Sequence, residues 1–488
     1  MIIGVLKASS PCITFVFNIR VIMAMKELKT DYLIIGSGAM GMAFADTLLS
    51  DTDHSMIIVD RYALPGGHWN KAYPFVTLHQ PSHFYGVAST ELSSGKKDEI
   101  GWNKGLFELA SGSEVLAYFN KVMTQRLLPS GRVQYFPKCS YQGDYEFVSN
   151  LSGDRYKVDV TKKIVDATHL NTKVPSTHTP NFKIEADVQF IPLNNLVNIT
   201  DAPEGYVVIG GGKTGIDACL WLLQTGVNPD KITWVKSRDA WLLNRLKTQP
   251  TVEFFEHSIG AQADQVESIA NAKSADDLFL KLEENGIFLR IDKNIKPSMF
   301  HGATISEMEL EQINRIKHIV RLGRVKHLKG NEIVLDNGTI PTSKNHIHVD
   351  CSATPLENIN PVAIFQGDRI IPQTIRSYQP VFSSSMVAHI EALYPNDEKK
   401  KNQLCQVVPI PDRDTDWIQM TAINMMNQFQ WNQDKELRRW MADNRLDGFG
   451  KIVKEVDKTD PKVIAVLSKF RDNAMGAAMN LQRMIGEM

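Results

Sequence analysis

The chain has 488 residues, more than one hydrophobic core accommodates, so two or three domains are predicted. Hydrophobic residues make up 43% and charged residues 22%, as in an ordinary globular protein, and a net charge of −1 gives no reason to expect nucleic acid. The five cysteines are scattered without a Cys-x-x-Cys pair. This argues against a zinc site and suits a reducing compartment, so we expect a cytoplasmic protein without a metal.

The N-terminal residues 1–24 contain a short apolar stretch, Cys12 to Phe17. The stretch is typical of a weak signal peptide, but an incorrect start codon is the alternative that we favour, because Met25 would naturally open a compact enzyme. We therefore expect residues 1–30 to be an extension that is not part of the native fold. No window reaches eighteen uninterrupted apolar residues, so no transmembrane helix is predicted.

The first predicted unit is a strand, a helix and a second strand, with a Gly-x-Gly-x-x-Gly turn after the first strand. The strand covers 32–35, the helix 39–50 and the second strand 55–60. Glycines let this turn approach a pyrophosphate, and the helix N-terminus favours the anion. The turn residues expected to bind a cofactor are Gly36, Gly38, Ala39, Met40 and Gly41. Asp60, at the end of the second strand, can accept hydrogen bonds from both ribose hydroxyls, which favours a dinucleotide without a 2′-phosphate.

A long loop over residues 62–105 follows, rich in Gly, Pro, His and aromatic residues. Loops of this length in a compact enzyme are usually functional. His79 and His83 have the spacing of a helical metal pair, but Pro81 disfavours a helix between them, so hydrogen-bonding roles are expected instead.

The next segment is predicted to be a helix over 108–128 and then an antiparallel meander. The meander strands are 133–136, 145–148 and 156–160, and Ile164-Val165 is a separate strand. The Pro- and Asn-rich residues 171–204 indicate a linker.

The second predicted unit repeats the first, with strands over 206–209 and 232–235 and a helix over 214–225. Its glycine turn offers Gly210, Gly212, Lys213, Thr214 and Gly215 as cofactor-binding residues. The second strand ends in Lys236-Ser237-Arg238 instead of an acid. Two cations and a hydroxyl would hold a 2′-phosphate, so we expect NADP(H) here. Ordinary surface charge is the alternative for Lys236 and Arg238.

The rest of the sequence predicts the remaining elements and, with them, the domain organisation. Helices are expected within about 250–320, a hairpin at 336–338, a strand over 346–349 and helices in the last hundred residues. The fold class is α/β, with two Rossmann-like dinucleotide-binding domains and a mainly helical C-terminal region. We predict that the first domain covers 31–175 and 345–400, the second 200–344, and the helical region 401–488.

Several motifs together resemble the class B flavoprotein monooxygenases, which include flavin-containing and Baeyer–Villiger monooxygenases. They are the first glycine turn, Asp60 followed by Gly66-Gly67-His68-Trp69, and the second glycine turn followed by Lys236 to Trp241 and Arg245. Asp166-Ala167-Thr168 and Asp350 to Thr354 are similar to the two strand ends beneath the flavin of that family. The resemblance implies FAD at the first turn and NADPH at the second, and it adds Arg61, Gly67, His68, Trp69 and Ala353 to the expected cofactor contacts.

The chain departs from the family pattern at two places. Residues 170–205 lack the family's motif Phe-x-Gly-x-x-x-His-x-x-x-Tyr/Trp, and the asparagine of its active-site loop is not evident. The resemblance therefore implies the fold and both cofactors more strongly than it implies oxygen insertion. Candidate catalytic donors are His79, Gln80, Tyr85 and Arg245, each with a purely structural alternative.

The leading functional hypothesis is an FAD- and NADPH-dependent monooxygenase that uses molecular oxygen and a small organic substrate. A reductase or dehydrogenase without oxygen insertion is the first alternative. The second is a flavin-bound sensor, although core packing would also explain the residues of its partner surface, which are Trp417, Trp431, Trp440, Met420, Met425 and Met426. Many proteins with this layout pair up, so the sequence leaves a homodimer open.

Overall fold

The computed structural model describes residues 25–172, 174–353 and 360–488. The first 24 residues of the predicted extension and Thr354 lie outside the described residues. The described residues form twelve α-helices: α1 Ala39–Asp51, α2 Gly112–Val122, α3 Lys213–Gln224, α4 Phe255–Asn271, α5 Ala275–Glu284, α6 Glu307–Ile313, α7 Pro380–Leu393, α8 Glu398–Leu404, α9 Asp416–Gln433, α10 Lys435–Asp443, α11 Gly448–Glu455 and α12 Pro461–Gly486.

The same residues form twenty-two β-strands, many of them short. In chain order they are β1 Lys26–Ile35, β2 Met56–Val59, β3 Gly86–Val87, β4 Thr90–Glu91, β5 Val133–Phe136, β6 Cys139–Gly143, β7 Glu146–Ser149, β8 Arg155–Asp166, β9 Lys183–Ile184, β10 Phe190–Pro192, β11 Gly205–Ile209, β12 Ile232–Val235, β13 Leu242–Asn244, β14 Phe288–Leu289, β15 Thr304–Ile305, β16 His318–Val320, β17 Val325–Leu328, β18 Glu332–Leu335, β19 Gly338–Pro341, β20 His346–Asp350, β21 Phe365–Gln366 and β22 Arg369–Ile370.

The first large sheet runs in the order β21-β22-β8-β1-β2-β5, and β22, β8, β1, β2 and β5 are parallel. The apolar residues of β1 and β2 are buried on both faces, as is usual for a parallel sheet. Two sequence predictions need correction here. Residues 133–136 form β5, which pairs in parallel with β2 and is not a meander strand. Residues 26–30, assigned to the extension, belong to β1 and pair with β8.

The second large sheet is entirely parallel, in the order β10-β20-β11-β12-β16. Strand β20, which covers 346–350, belongs to this second sheet. The domain boundary predicted at residue 345 therefore lies too early, because the chain returns to the first sheet only with β21 and β22. Strand β10 lies within the predicted linker and forms the edge of this sheet. The helices expected within about 250–320 are present as α4, α5 and α6, and the predicted hairpin joins β18 to β19.

The C-terminal helices contribute to the cores of both preceding units. Trp431 is completely buried in the cluster that also holds Phe44 of α1 and Phe382 of α7. Trp417 is buried in a separate cluster with Phe288. Burial of each such side chain contributes about 1.5–3 kcal/mol. Trp417 and Trp431, both considered for a partner surface, are therefore core residues, and Trp440 is half-buried against the cluster that holds Trp431. No helix among the described residues is long and apolar enough to cross a membrane.

Candidate functional site

The first glycine turn connects β1 to α1 at the carboxyl edge of the first sheet. Gly36 has φ +96°, a conformation that favours glycine. A Cβ on Gly41 would overlap the carbonyl oxygen of Gly36, so only glycine lets the helix start this close to the strand. Gly38 is the N-cap of α1 and makes no side-chain cap, so the first N–H groups of a thirteen-residue helix remain available to an anion.

Asp60 organises this turn from the end of β2. Its buried carboxylate accepts three hydrogen bonds: Ser37 N at 2.5 Å and Ser37 Oγ at 2.7 Å on Oδ2, and Tyr62 N at 2.7 Å on Oδ1. A carboxylate has about four acceptor positions. One position, on Oδ1, therefore remains for a ribose hydroxyl, whereas the sequence had led us to expect bonds to both hydroxyls.

A cavity of about 620 Å³ begins at Arg61, the residue that follows Asp60. Three cations line it, namely Arg61, Lys71 and Lys138, together with Tyr62, Ala63, Asn70, Asn171, Thr172 and Thr177. Gly67 faces the glycine turn so closely that a Cβ on it would come within 2.9 Å of the Gly38 Cα. A dinucleotide with a negatively charged pyrophosphate fits the size, charge and hydroxyl-rich lining of this cavity.

The motif residues His68 and Trp69 lie on the short 3₁₀ turn after Gly67. Their rings stack with centroids 5.3 Å apart, and burial lowers the pKa of His68 to about 4. The indole N–H of Trp69 donates to the hydroxyl of Tyr85 at 2.8 Å. Burial raises the pKa of Tyr85, so the phenol keeps its proton and can donate it to a ligand.

The second glycine turn repeats this construction between β11 and α3. Gly210 has φ +142°, and a Cβ on Gly215 would overlap the Gly210 carbonyl oxygen. A Cβ on Gly212 would meet no atom within 4 Å, so the space above the helix N-terminus is open. Lys213 pairs with Asp217 one helical turn on, and Asp217 also accepts from the hydroxyl of Tyr73 at 2.6 Å. Thr214 follows on the first turn of α3.

The two turns are backed by equivalent strand ends. In the first sheet the Oδ1 of Asp166 accepts from the backbone N and the hydroxyl of Thr168, at 3.0 and 2.6 Å. In the second sheet the Oδ1 of Asp350 accepts from the same two groups of Ser352, at 2.9 and 2.6 Å. Ala353, expected to contact a cofactor, follows this second strand end and is half-buried. The repetition supports the interpretation of both motifs as one kind of structural unit.

The three residues predicted to hold a 2′-phosphate have different environments. Lys236 is 2% exposed, and its ammonium pairs with Asp239 at 2.6 Å over the ring of Trp234. Burial lowers its pKa, so it is not a free surface cation. Ser237 is exposed. Arg238 is half-buried and forms two hydrogen bonds with the carboxylate of Asp412, at 2.9 and 2.7 Å.

Arg245, a candidate catalytic donor, is 1% exposed and links several segments. Its Nε donates to the carbonyl oxygen of His79 at 2.9 Å, its Nη1 to Asn103 at 3.1 Å, and its Nη2 pairs with Glu309 at 2.8 Å. The geometry makes Arg245 an anchor for the long loop. A direct role on a substrate would require breaking these bonds.

His79 lies where this loop meets the second glycine turn. Its pKa is well below the ordinary value because it is desolvated and because the charges of Lys213 and Arg245 oppose protonation. The imidazole is therefore neutral at pH 7, with one donor and one acceptor nitrogen. Gln80, the next residue, is also half-buried. The structure thus brings His79 and Arg245 together beside Lys213, and it places Tyr85 against Trp69.

Two residues that contact parts of the candidate site escaped the sequence analysis. Arg445 donates to the carbonyl oxygens of Val87, His83 and Tyr85, at 2.9, 3.0 and 2.7 Å. Asp412 pairs with Arg238 as described above. Both lie in the C-terminal region, and no local motif marks them. No cluster of three or more potential metal ligands occurs among the residues that the structure describes.

Comparison with solved structures finds proteins of low sequence identity. Cyclohexanone monooxygenase from Rhodococcus sp. Phi1 bound to NADP+ is 12% identical, with 92% of this chain and 99% of that chain covered and a TM-score of 0.46. A flavin-containing monooxygenase from Stenotrophomonas maltophilia is 12% identical, with 75% and 98% covered and a TM-score of 0.41. A bacillithiol disulfide reductase from Staphylococcus aureus is 11% identical, with 76% and 99% covered and a TM-score of 0.40.

No protein-family model matches the chain. Among curated proteins, the uncharacterized proteins Rv2000 of Mycobacterium tuberculosis and Mb2023 of Mycobacterium bovis are each 44% identical over 425 residues. In each case the match covers 86% of this chain and 78% of the relative. The chain therefore belongs to the same family as these mycobacterial proteins.

Proposed function

We propose that the protein is an FAD- and NADPH-dependent oxidoreductase that acts on a small organic substrate. One observation carries this proposal: two glycine turns of the same construction lie at the carboxyl edges of two parallel sheets. Asp60 stands at the end of the neighbouring strand in the first sheet, and Arg238 follows that strand in the second. The first turn would hold FAD and the second NADPH.

Several residues around the first glycine turn would bind FAD. The N-terminus of α1 and the cations Arg61, Lys71 and Lys138 would face its phosphates, and the free acceptor position of Asp60 would bind its ribose. Trp69 would supply an apolar face near the flavin. At the second turn, the open N-terminus of α3 would face the phosphates of the nicotinamide cofactor. Bound together, the two cofactors would supply hydride transfer from nicotinamide to flavin.

Two polar side chains of this protein, those of Tyr85 and His79, are candidates for contacts with a bound substrate. The phenol of Tyr85 accepts a hydrogen bond from Trp69 and keeps its own proton to donate. His79 is neutral and can donate or accept without adding a charge. Each of these groups can orient a bound ligand by hydrogen bonds. We propose oxygenation of the substrate by molecular oxygen as the overall reaction.

One observation favours the alternative of a reductase without oxygen insertion. Arg245, the cation expected to stabilise oxygen-derived charge, is buried and occupied by the loop carbonyl of His79, Asn103 and Glu309. A reductase would need no such cation, since the electrons would pass directly to an organic acceptor. Small-molecule oxygenation and acceptor reduction therefore both require a direct test.

The test begins with the purified protein. It should be yellow, release FAD on heating and oxidise NADPH faster than NADH. Oxygen uptake is then measured with and without catalase across a panel of small ketones, amines and sulfides. Uptake matched by oxygenated product supports the monooxygenase. NADPH oxidation that needs an organic acceptor and continues without oxygen supports the reductase. A folded, colourless protein that binds neither FAD nor NADPH would contradict the proposed function altogether.

A further inference from the structure

The segment before α9 lies against the second domain, at the place where the coenzyme's 2′-phosphate is expected. The carbonyl oxygen of Asp412 accepts from the backbone N of Phe300 at 3.1 Å. The next residue, Arg413, forms a β-bridge with Met299. The backbone N of Asp412 donates to Asp416 at 3.1 Å. The C-terminal region thus delivers one carboxylate to a defined position beside Arg238.

The side chain of Asp412 is bound as a phosphate group would be. Both terminal nitrogens of Arg238 donate to it, one to each carboxylate oxygen, at 2.9 and 2.7 Å. The Nε2 of His301 lies 2.9 Å from Oδ1. The hydrogen bonds from the Arg238 guanidinium, together with the contact to His301, hold the pKa of Asp412 below its ordinary value. The planar fork of an arginine matches carboxylates and phosphates equally well, so the two anions compete for the same donors.

Of the two cations in the segment Lys236-Ser237-Arg238, Arg238 is the one that remains for a 2′-phosphate. Lys236 is buried and pairs with Asp239. The side chain of Asp412 is 59% exposed, so its pair with Arg238 is accessible to solvent and can exchange. Solvent screens this exposed pair, so an incoming dianion can replace the carboxylate on Arg238.

We propose that Asp412 is a specificity-determining residue that lowers the preference for a 2′-phosphorylated coenzyme by competing with the 2′-phosphate for Arg238. This inference rests on the proposed function of the second glycine turn as the NADPH site. The 2′-phosphate takes the place of the Asp412 carboxylate on Arg238 and His301, and 2′-hydroxyl coenzymes leave the pair intact. Asp412 therefore weakens binding of NADPH selectively and leaves binding of NADH unaffected.

Calorimetric titration of the full-length protein with 2′,5′-ADP and with 5′-AMP tests this without turnover. Asp412→Asn should bind 2′,5′-ADP about three- to tenfold more tightly than the wild type, with 5′-AMP unchanged. The gain should vanish in Asp412→Asn combined with Arg238→Met. Asp414→Asn is the matched control, because it removes a neighbouring charge whose Oδ1 accepts only from Thr415 N among the described groups.

The outcomes separate the two levels of the proposal. If the wild type binds 2′,5′-ADP but Asp412→Asn binds it equally or more weakly, the competition is refuted while the coenzyme site stands. An equal gain in Asp414→Asn would also refute it, since general electrostatics would then explain the effect. If neither nucleotide binds to any variant, the assignment of the second turn itself fails.

Discussion

The substitution Asp60→Asn tests the construction of the first glycine turn. The carboxylate accepts two hydrogen bonds from Ser37 and one from the backbone N of Tyr62. An asparagine can turn its single oxygen toward Ser37, but its amide nitrogen then faces the N–H of Tyr62. That leaves one buried donor unsatisfied, at a cost of about 1–3 kcal/mol. The bonds that remain lose their charge assistance, which costs about 1 kcal/mol more.

We therefore expect Asp60→Asn to destabilise the first domain by about 3 kcal/mol. If that domain unfolds as one unit of about 200 residues, its melting temperature should fall by about 6–12 °C. Calorimetry of the flavin-free protein measures this, and flavin fluorescence measures the accompanying loss of FAD affinity. Asp166→Asn is the control, because this less buried strand-end carboxylate accepts only from Thr168 among the described groups. Equal effects of the two substitutions, or none for Asp60→Asn, would refute the role of Asp60.

Three further experiments test separate parts of the site. Gly41→Ala should strongly lower the melting temperature, because its Cβ would overlap backbone, whereas Gly212→Ala should leave the melting temperature unchanged. His68 is neutral in the fold, with its pKa lowered to about 4, so the unfolded state binds more protons between pH 6.5 and 4. The free energy of unfolding should therefore decrease as the pH is lowered from 6.5 to 4. His68→Gln should make this decrease smaller by up to about 3 kcal/mol, as measured by urea unfolding. Arg445→Ala should raise the rate of proteolysis in the long loop about tenfold, unlike the exposed Arg439→Ala, because three hydrogen bonds to loop carbonyls are lost.

The features predicted well from the sequence are those set by local chemistry. Gly36 and Gly210 both adopt the positive φ that a tight strand-to-helix turn requires, and apolar strands surround them as expected. The predictions of loops and linkers between these elements were less accurate. Strand β10 was assigned to a linker because three residues ending in Pro192 give no alternating pattern, and only pairing with β20 makes them a strand.

Side-chain environments at the site could not be predicted, because they depend on residues distant in the chain. Arg238 and Asp412 are separated by 174 residues, and Arg445 lies 358 residues or more from the carbonyls it contacts. Lys236 follows an exposed-looking pattern but is buried, since Asp239 three residues later neutralises it. Whether each charged side chain is free or already paired therefore depends on the tertiary structure and could not be predicted from the sequence.

The C-terminal region connects the two glycine turns through both packing and hydrogen bonds. Trp431 belongs to the core that covers α1, and Trp417 belongs to the core that contains Trp241 and Phe288 of the second domain. From the same region, Arg445 binds the loop that carries Tyr85, and Asp412 binds Arg238. Two domains without such a connection are expected to move freely relative to each other. Here a relative rotation must either break these ion pairs and hydrogen bonds or expose buried indole rings. Each hydrogen bond or exposed ion pair contributes less free energy than the burial of an indole ring. The polar contacts are therefore the part of this connection that a bound cofactor can replace with contacts of its own.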